Sequence, residues 1–229
     1  RALVIDSSVT TTWRQRSANY EPIAERLAEF AEAVPGNCLA LFPSYRFLDE
    51  VQRRMPEIDK RIFVQRRRDD EGKRQELLET LRGALFGDVL LLAVAGGVFA
   101  EGVDYPGDML RAVAVVGPCL PTVSLERKLL EAYYEERFAR GFEYAFVIPG
   151  MTRVVQAAGR LIRSARDSGV IALFDRRFAA QPYARQLPAD WLDDGGVSAL
   201  CGHPASVALG FFEQLEIVAT SEDAALDRQ

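Results

Sequence analysis

The chain has 229 residues, 48% of them apolar, enough to bury one substantial core. A formal charge of -5 excludes general attraction to a polyanion, so any nucleic-acid contact must use a local basic patch. No apolar run approaches the roughly 18 residues of a membrane-spanning helix, and no basic-then-apolar leader opens the chain. Three cysteines, Cys38, Cys119 and Cys201, lie far apart with no paired spacing, and the one histidine, His203, cannot complete a usual zinc site with them; no metal or iron-sulfur site is expected, and the sparse cysteines fit a reducing cytoplasm.

The first element is a strand-like run, Leu3-Val4-Ile5, reached directly from Arg1; the chain is therefore expected to begin inside a longer polypeptide. Asp6-Ser7-Ser8 and then Trp13, Arg14 and Arg16 follow without helical rhythm. Residues 22–34 place Ile23, Leu27, Phe30, Ala31 and Val34 at helical spacing, with Pro22 suited to the first turn and Pro35-Gly36 as the stop. The apolar run 38–42 leads into Pro43-Ser44-Tyr45, where Ser44 can cap a following helix and Tyr45 can pack on it.

A run at 62–64 is flanked by Arg61, Arg66, Arg67, Arg68, Lys73 and Arg74, a basic cluster of the kind that more often forms only a solvated face. Residues 70–85 repeat the helical pattern through Leu77, Leu78, Leu81 and Leu85, and 89–94 is again a continuous apolar run. After it comes the glycine-rich stretch 95–107, in which Gly96-Gly97 allow close backbone approach to a ligand while Glu101 and Asp104 offer acceptors beside it. Run 112–116 precedes a helix expected over 124–140, with Ser124 as N-cap and Arg127 and Lys128 exposed. A further helix is expected over 149–165, then a strand over 170–174. Beyond Phe178, prolines and glycines break the rhythm, a short amphipathic helix is expected over 204–215, and the polar tail 221–229 should fray.

Short continuous apolar runs suit strands covered on both faces, and their alternation with helical patterns predicts a doubly wound, mostly parallel α/β sheet. In such sheets ligands bind at the carboxyl ends of the strands. Within 149–165, Val154, Val155, Ala158, Leu161 and Ile162 form an apolar side, and Arg153, Gln156, Arg160 and Arg163 fall within roughly an 80° sector on the other. Those four side chains can reach one ligand together. Gly159, in mid-helix, costs about 1 kcal/mol relative to Ala, which a close backbone approach would offset.

The string from Gln156 through Gly159-Arg160, Arg163 and Asp167 to Gly169, followed by the strand 170–174 and Asp175-Arg176-Arg177-Phe178, resembles motif VI of superfamily 2 helicases in its XPD/DinG form. Ala95 to Gly107, with Glu101-Gly102-Val103-Asp104, resembles motif V, and Leu39 to Tyr45 resembles motif IV. The three occur in the family's order, and the resemblance extends over residues 22–191. Ala100 and Gly96 depart from the Ser or Trp and the Arg that relatives often carry there, so those contacts do not transfer.

The resemblance implies a RecA-like fold, the second motor domain of a two-domain helicase, over residues 1–200, with residues 201–229 as a C-terminal helix and tail. It implies Arg163 and Arg160 as arginine fingers on the γ-phosphate and Gln156 as the residue orienting nucleotide or water; a guanidinium fork suits the spread charge of phosphoryl transfer. It implies that Asp104 serves the ribose or metal-bound water with Glu101 and Gly102 in support. Ser44, Tyr45, Gly97 and Arg153 would contact DNA, and the Ser-rich turn and arginine near residues 7–16 would lie beside its path. ATP and Mg2+ would be held mainly by the first motor domain, because no Gly-x-x-x-x-Gly-Lys-Ser/Thr loop or Asp-Glu-x-His motif occurs here. An iron-sulfur cluster, in members that have one, belongs to that domain too.

The implied activity is ATP-driven 5′-to-3′ movement on single-stranded DNA and unwinding of duplex, in DNA repair, with the isolated chain inactive. Expected partners are single-stranded and forked DNA, the first motor domain and repair proteins, with no membrane; the expected location is the bacterial cytoplasm at the nucleoid, or the nucleus in a eukaryote. The alternative is a non-catalytic, helicase-derived module that binds nucleic acid or docks proteins.

Overall fold

The computed structural model describes residues 1–69, 71–83, 89–103, 105, 107–159, 161, 168–192 and 196–226. Six strands, β1 (Ala2–Asp6), β2 (Cys38–Phe42), β3 (Arg61–Val64), β4 (Val89–Val94), β5 (Ala112–Val116) and β6 (Val170–Phe174), form one sheet in the order β1-β6-β5-β2-β4-β3. Every pairing is parallel. Each predicted run is a strand. Only the two edge strands reach further than their apolar cores, to the buried Asp6 in β1 and to the exposed Arg61 in β3.

Period-two alternation divides the strand residues between two apolar layers. Leu39, Leu41, Leu91, Val113, Val115, Ile171 and Leu173 point to one layer. There they pack against Leu77 and Leu81 of α3 (Glu71–Gly83) and Met151, Val154 and Ala158 of α6 (Ile148–Ala158). Cys38, Ala40, Phe42, Leu90, Leu92, Ala114, Ala172 and Phe174 point to the other. That layer is closed by α1 (Arg16–Glu32), α2 (Tyr45–Gln52) and α8 (Pro204–Leu226). All residues of β2, β5 and β6 are buried, which is why those strands read as unbroken apolar runs.

Three local expectations change. Helix α1 begins at Arg16, so Pro22 lies inside it rather than in its first turn. The backbone N–H groups of Gln15 and Arg16 both donate to the Thr12 carbonyl, starting the helix early, and this earlier start brings Tyr20 edge-on to Phe47, 4.9 Å between ring centres. Helix α8 runs to Leu226, well past residue 215 and through most of the tail expected to fray; residues 216–226 contain neither Gly nor Pro. Ala208 and Phe212 of α8 are buried against the sheet.

Gly159 is the third. It is the C-cap of α6, with its N–H on the Val155 carbonyl at 2.8 Å, so among the described residues it ends a helix instead of interrupting one. Among the described residues, a Cβ there would meet the carbonyls of Val155 and Gln156, both from its own helix. The expected helix over 124–140 is α5 (Leu125–Phe138), capped by Ser124, whose Oγ accepts the Arg127 N–H. Lys128 is exposed as expected, whereas Arg127 is half-buried and donates to the Ala145 carbonyl. Two short helices, α4 (Val98–Glu101) and α7 (Gly196–Ala199), are also described. No described helix is long and apolar enough to cross a membrane.

Candidate functional site

Because all six strands run the same way, their carboxyl ends all lie at one edge of the sheet, and five of the loops they deliver there carry the motif residues and their neighbours. These are the loop after Asp6, Pro43-Ser44 after β2, Ala95-Gly96-Gly97 after β4, Gly117 to Leu120 after β5, and Asp175 to Arg177 after β6. Four of them, those after β1, β2, β5 and β6, line one depression of about 240 Å3 with Thr11, Trp13, Arg16, Ser44, Cys119 and Arg177 in its wall. Trp13 is 74% exposed, and the Arg16 guanidinium lies 3.5 Å above its ring. The early segment, which has no rhythm in sequence, thus stands beside Ser44.

A buried charge pair fixes that corner. Asp175, fully buried, accepts from the Thr11 N–H at 2.7 Å and Thr11 Oγ1 at 2.9 Å, from the Arg177 N–H at 2.9 Å, and from Arg177 Nη2 at 2.7 Å. Arg177 Nη2 also donates to Thr11 Oγ1 at 2.6 Å. Burial pushes the Asp175 carboxyl up, but the hydrogen bonds and charge of Arg177, joined by the Thr11 N–H, outweigh it and hold the group below the usual carboxylate range. Burial likewise opposes the charge of Arg177, and Asp175 overcomes it, raising the guanidinium. Gly117 closes the corner with a backbone φ of +79°, and a Cβ there would stand 2.3 Å from Thr11 Oγ1.

Ser44 and Tyr45 are adjacent in the chain yet serve different surroundings. Ser44 Oγ accepts the Phe47 N–H at 3.2 Å, the cap expected for α2, and faces the first depression. Tyr45 is half-buried with Arg67 5.5 Å over its ring, in a second depression of about 310 Å3 shared with Arg46, Arg53 and Arg66. Arg66 is not merely solvated, since it bonds Asp49 at 2.9 Å and Gln52 at 3.2 Å.

The glycine-rich turn sits at the end of β4. Gly96 has φ +82°, the Ala95 N–H reaches back to the Phe42 carbonyl at 2.8 Å, and the Gly97 N–H closes on the Val94 carbonyl at 2.9 Å. Behind the turn, Phe99, Ala100, Val103 and Tyr105 are buried, and Tyr105 Oη donates to the Phe99 carbonyl at 2.8 Å. Ala100 is therefore a core residue. Glu101 ends α4 and Gly102 follows it exposed, while Asp104 lies outside the described residues.

On α6 the buried side is Met151, Val154, Ala157 and Ala158, continued by Leu161; Gln156 is exposed and Arg153 half-buried. Val155, expected on the apolar side, is half-buried; Ile162 lies outside the described residues, as do Arg160, Arg163 and Asp167. Gln156 lines a third depression of about 220 Å3 with Thr152, Val155, Gln186 and Pro188. Arg153 instead acts on Cys119 of the first: burial pushes that thiol up to about 12, with the Arg153 charge pulling the other way, so the sulfur is held as an unreactive thiol. Among the described residues no group of three or more His, Cys, Asp or Glu could hold a metal ion.

The sequence pattern missed Thr11, Asp175 and Gln65 as structural members of this edge. Asp175 and Arg177 were present in the motif string, but their partner Thr11 is 164 positions from Asp175. Gln65 had no signal at all.

A family model described as the helicase C-terminal domain matches residues 27–194. A probable ATP-dependent helicase of Methanocaldococcus jannaschii is 35% identical over 175 residues, covering 69% of this chain and 26% of that protein. The general transcription and DNA repair factor IIH helicase subunit XPD/RAD3 of Saccharomyces cerevisiae is 29% identical over 180 residues, covering 74% of this chain and 22% of that protein. The chain thus spans about a quarter of the length of these curated relatives. A solved XPD helicase superposes with a TM-score of 0.66 at 24% identity, over 81% of this chain and 33% of its own, a likeness of fold.

Proposed function

Since this chain belongs to the helicase C-terminal domain family, in its XPD-like branch, we propose that it is the second motor domain of an ATP-dependent DNA helicase. The observation that carries the reading is the all-parallel sheet that brings the motif IV segment, the glycine-rich turn and the strand after the arginine string to the same edge. In this reading Arg163 and Arg160 reach the γ-phosphate of ATP held by the first motor domain, and Gln156, exposed on α6, orients the nucleotide or the attacking water. Asp104 serves the ribose or metal-bound water, with Glu101 and Gly102 beside it. Ser44, Tyr45, Gly97 and Arg153 meet the DNA strand.

Mg2+ is assigned to the first motor domain together with the ATP phosphates it bridges, in keeping with a sequence that has no Gly-x-x-x-x-Gly-Lys-Ser/Thr loop. An iron-sulfur cluster, where present, would also lie there: Cys38 and Cys119 are buried apart and Cys201 is exposed. The full protein moves 5′ to 3′ on single-stranded DNA and opens forks in repair, in the nucleus or at the nucleoid, and this chain alone does not hydrolyse ATP. A protein-docking role has one observation in its favour: α5 buries none of its residues and exposes Leu125, Leu129 and Tyr133 at one-turn spacing.

The test is Arg163→Ala in the full-length protein. DNA-stimulated ATP hydrolysis should fall by about 10³-fold or more while DNA binding persists. Hydrolysis that survives the substitution would remove Arg163 from the finger role, and ATP turnover by the isolated chain would overturn the division of labour.

A further inference from the structure

Strand β3 is the edge of the sheet and ends at Val64, while its neighbour β4 continues to Val94. The Gln65 N–H still donates to the Leu92 carbonyl at 2.8 Å, one step beyond the strand. After that the backbone of β3 leaves the ladder. The Val94 N–H faces the β3 side, because the next bond toward β2 is made by Ala95 to the Phe42 carbonyl. It would be an orphan donor at the root of the glycine-rich turn, and Gln65 Oε1 takes it at 3.0 Å. A side-chain amide thus stands in for the backbone carbonyl that β3 no longer supplies.

The same amide explains Gly97. This glycine has no positive φ to require it, unlike Gly96. A Cβ at position 97 would meet Gln65 Nε2 at 3.1 Å, Gln65 Oε1 at 3.2 Å and the Val94 carbonyl at 2.9 Å. The space beneath the turn is occupied by Gln65, which is itself only 6% exposed. Gly97 and Gln65 are a matched pair, and between them they set how far the turn stands above the end of β4.

We infer that Gln65 is a positioning residue for the Gly96-Gly97 turn, holding it at the height from which it couples a bound DNA strand to the nucleotide side of the motor. The inference rests on the helicase reading, in which Gly97 meets DNA and Glu101 and Gly102 lie on the nucleotide side. Gln65 touches neither ligand. Its action runs through the Val94 N–H and the floor of the turn, so its loss alters coupling and leaves ATP affinity alone.

The experiment uses the full-length protein with oligo-dT as the DNA probe. ATP hydrolysis is measured with and without DNA in the wild type, Gln65→Met and Gln65→Glu, with thermal unfolding as a check on folding. Methionine keeps the length but provides no comparable acceptor, whereas glutamate retains an oxygen for Val94. Gln65→Met should cut the DNA-stimulated kcat by about 10- to 100-fold with KM for ATP and the DNA-free rate unchanged, the range expected for a small misplacement of a coupled group. Gln65→Glu should restore most of the stimulation.

If Gln65→Met does not fold, Gln65→Asn, which withdraws the amide by one methylene, is held to the same expectation. Undiminished stimulation in the methionine or asparagine variant overturns the inference, as does equal loss in Gln65→Glu, which would show that the Val94 acceptor is not the operative atom. A wild-type protein whose hydrolysis ignores DNA overturns the helicase reading itself, and this inference with it.

Discussion

Two loops at the carboxyl edge are held in place by opposite chemistry. After β6, a fully buried carboxylate, Asp175, gathers Arg177 and Thr11 into a charged clamp. After β4, a neutral amide, Gln65, and an absent side chain at Gly97 do the same service. The charged clamp is strong because every partner is present and costly because none can be removed singly. The amide carries no charge and holds its turn through one bond, from the Val94 N–H. Burial of the clamp and the surface position of Gly96 follow the same division.

Breaking the clamp should have the largest effect. Asp175→Ala leaves Arg177 without its counter-charge in a largely buried place, and should cost about 3–5 kcal/mol in urea denaturation of this chain. A loss near zero would show that the loops after β1 and β6 are fixed by packing alone. Since the Asp175 carboxyl is held below its unfolded value of about 3.9, its contribution is fully present above that pH and is lost as pH falls through the lower, folded value. Asp175→Asn should therefore flatten part of the acid limb of stability against pH. The amide at Gln65 predicts no such limb for the other loop.

Gly97→Ala comes next. Its Cβ must displace either the Val94 carbonyl or the Gln65 amide, at a cost of about 1–3 kcal/mol. Combined with Gln65→Ala, that cost should shrink, because half of the obstruction is gone; strictly additive losses in a double-mutant cycle would separate the two residues. The smallest effect is expected at Ser44. Ser44→Ala removes the cap on the Phe47 N–H and should lower stability by about 1 kcal/mol, read from the same denaturation curves. A larger fall would indicate that Ser44 supports the neighbouring depression beyond capping α2.

Much of the fold was legible because its strands are covered on both faces: the unbroken apolar runs at β2, β4, β5 and β6 announce themselves. The caps at Ser44 and Ser124 were legible too, since capping depends on a few neighbouring residues. The early start of α1 was not, because it answers to Tyr20 meeting Phe47 across two helices. At α5 the exposed Lys128 was legible, but the half-buried Arg127 was not, because it reaches the Ala145 carbonyl of a later segment.

At the candidate site the motifs and their order were open to inspection, and so were Gln156 and Arg153 as an outward pair on α6. That Gln156 lines a depression separate from the one Ser44 faces was not. The parallel α/β class, the positions of the six strands and the segments that carry polar chemistry are readable from the chain, because they depend on local periodicity and composition. It takes the folded chain to bring Thr11 to Asp175 and Arg177, and to set Gln65 in place of a missing strand carbonyl beneath Gly97. Those are contacts between residues far apart in the chain, and a hydrogen bond leaves no pattern in sequence when its partners meet only through the sheet.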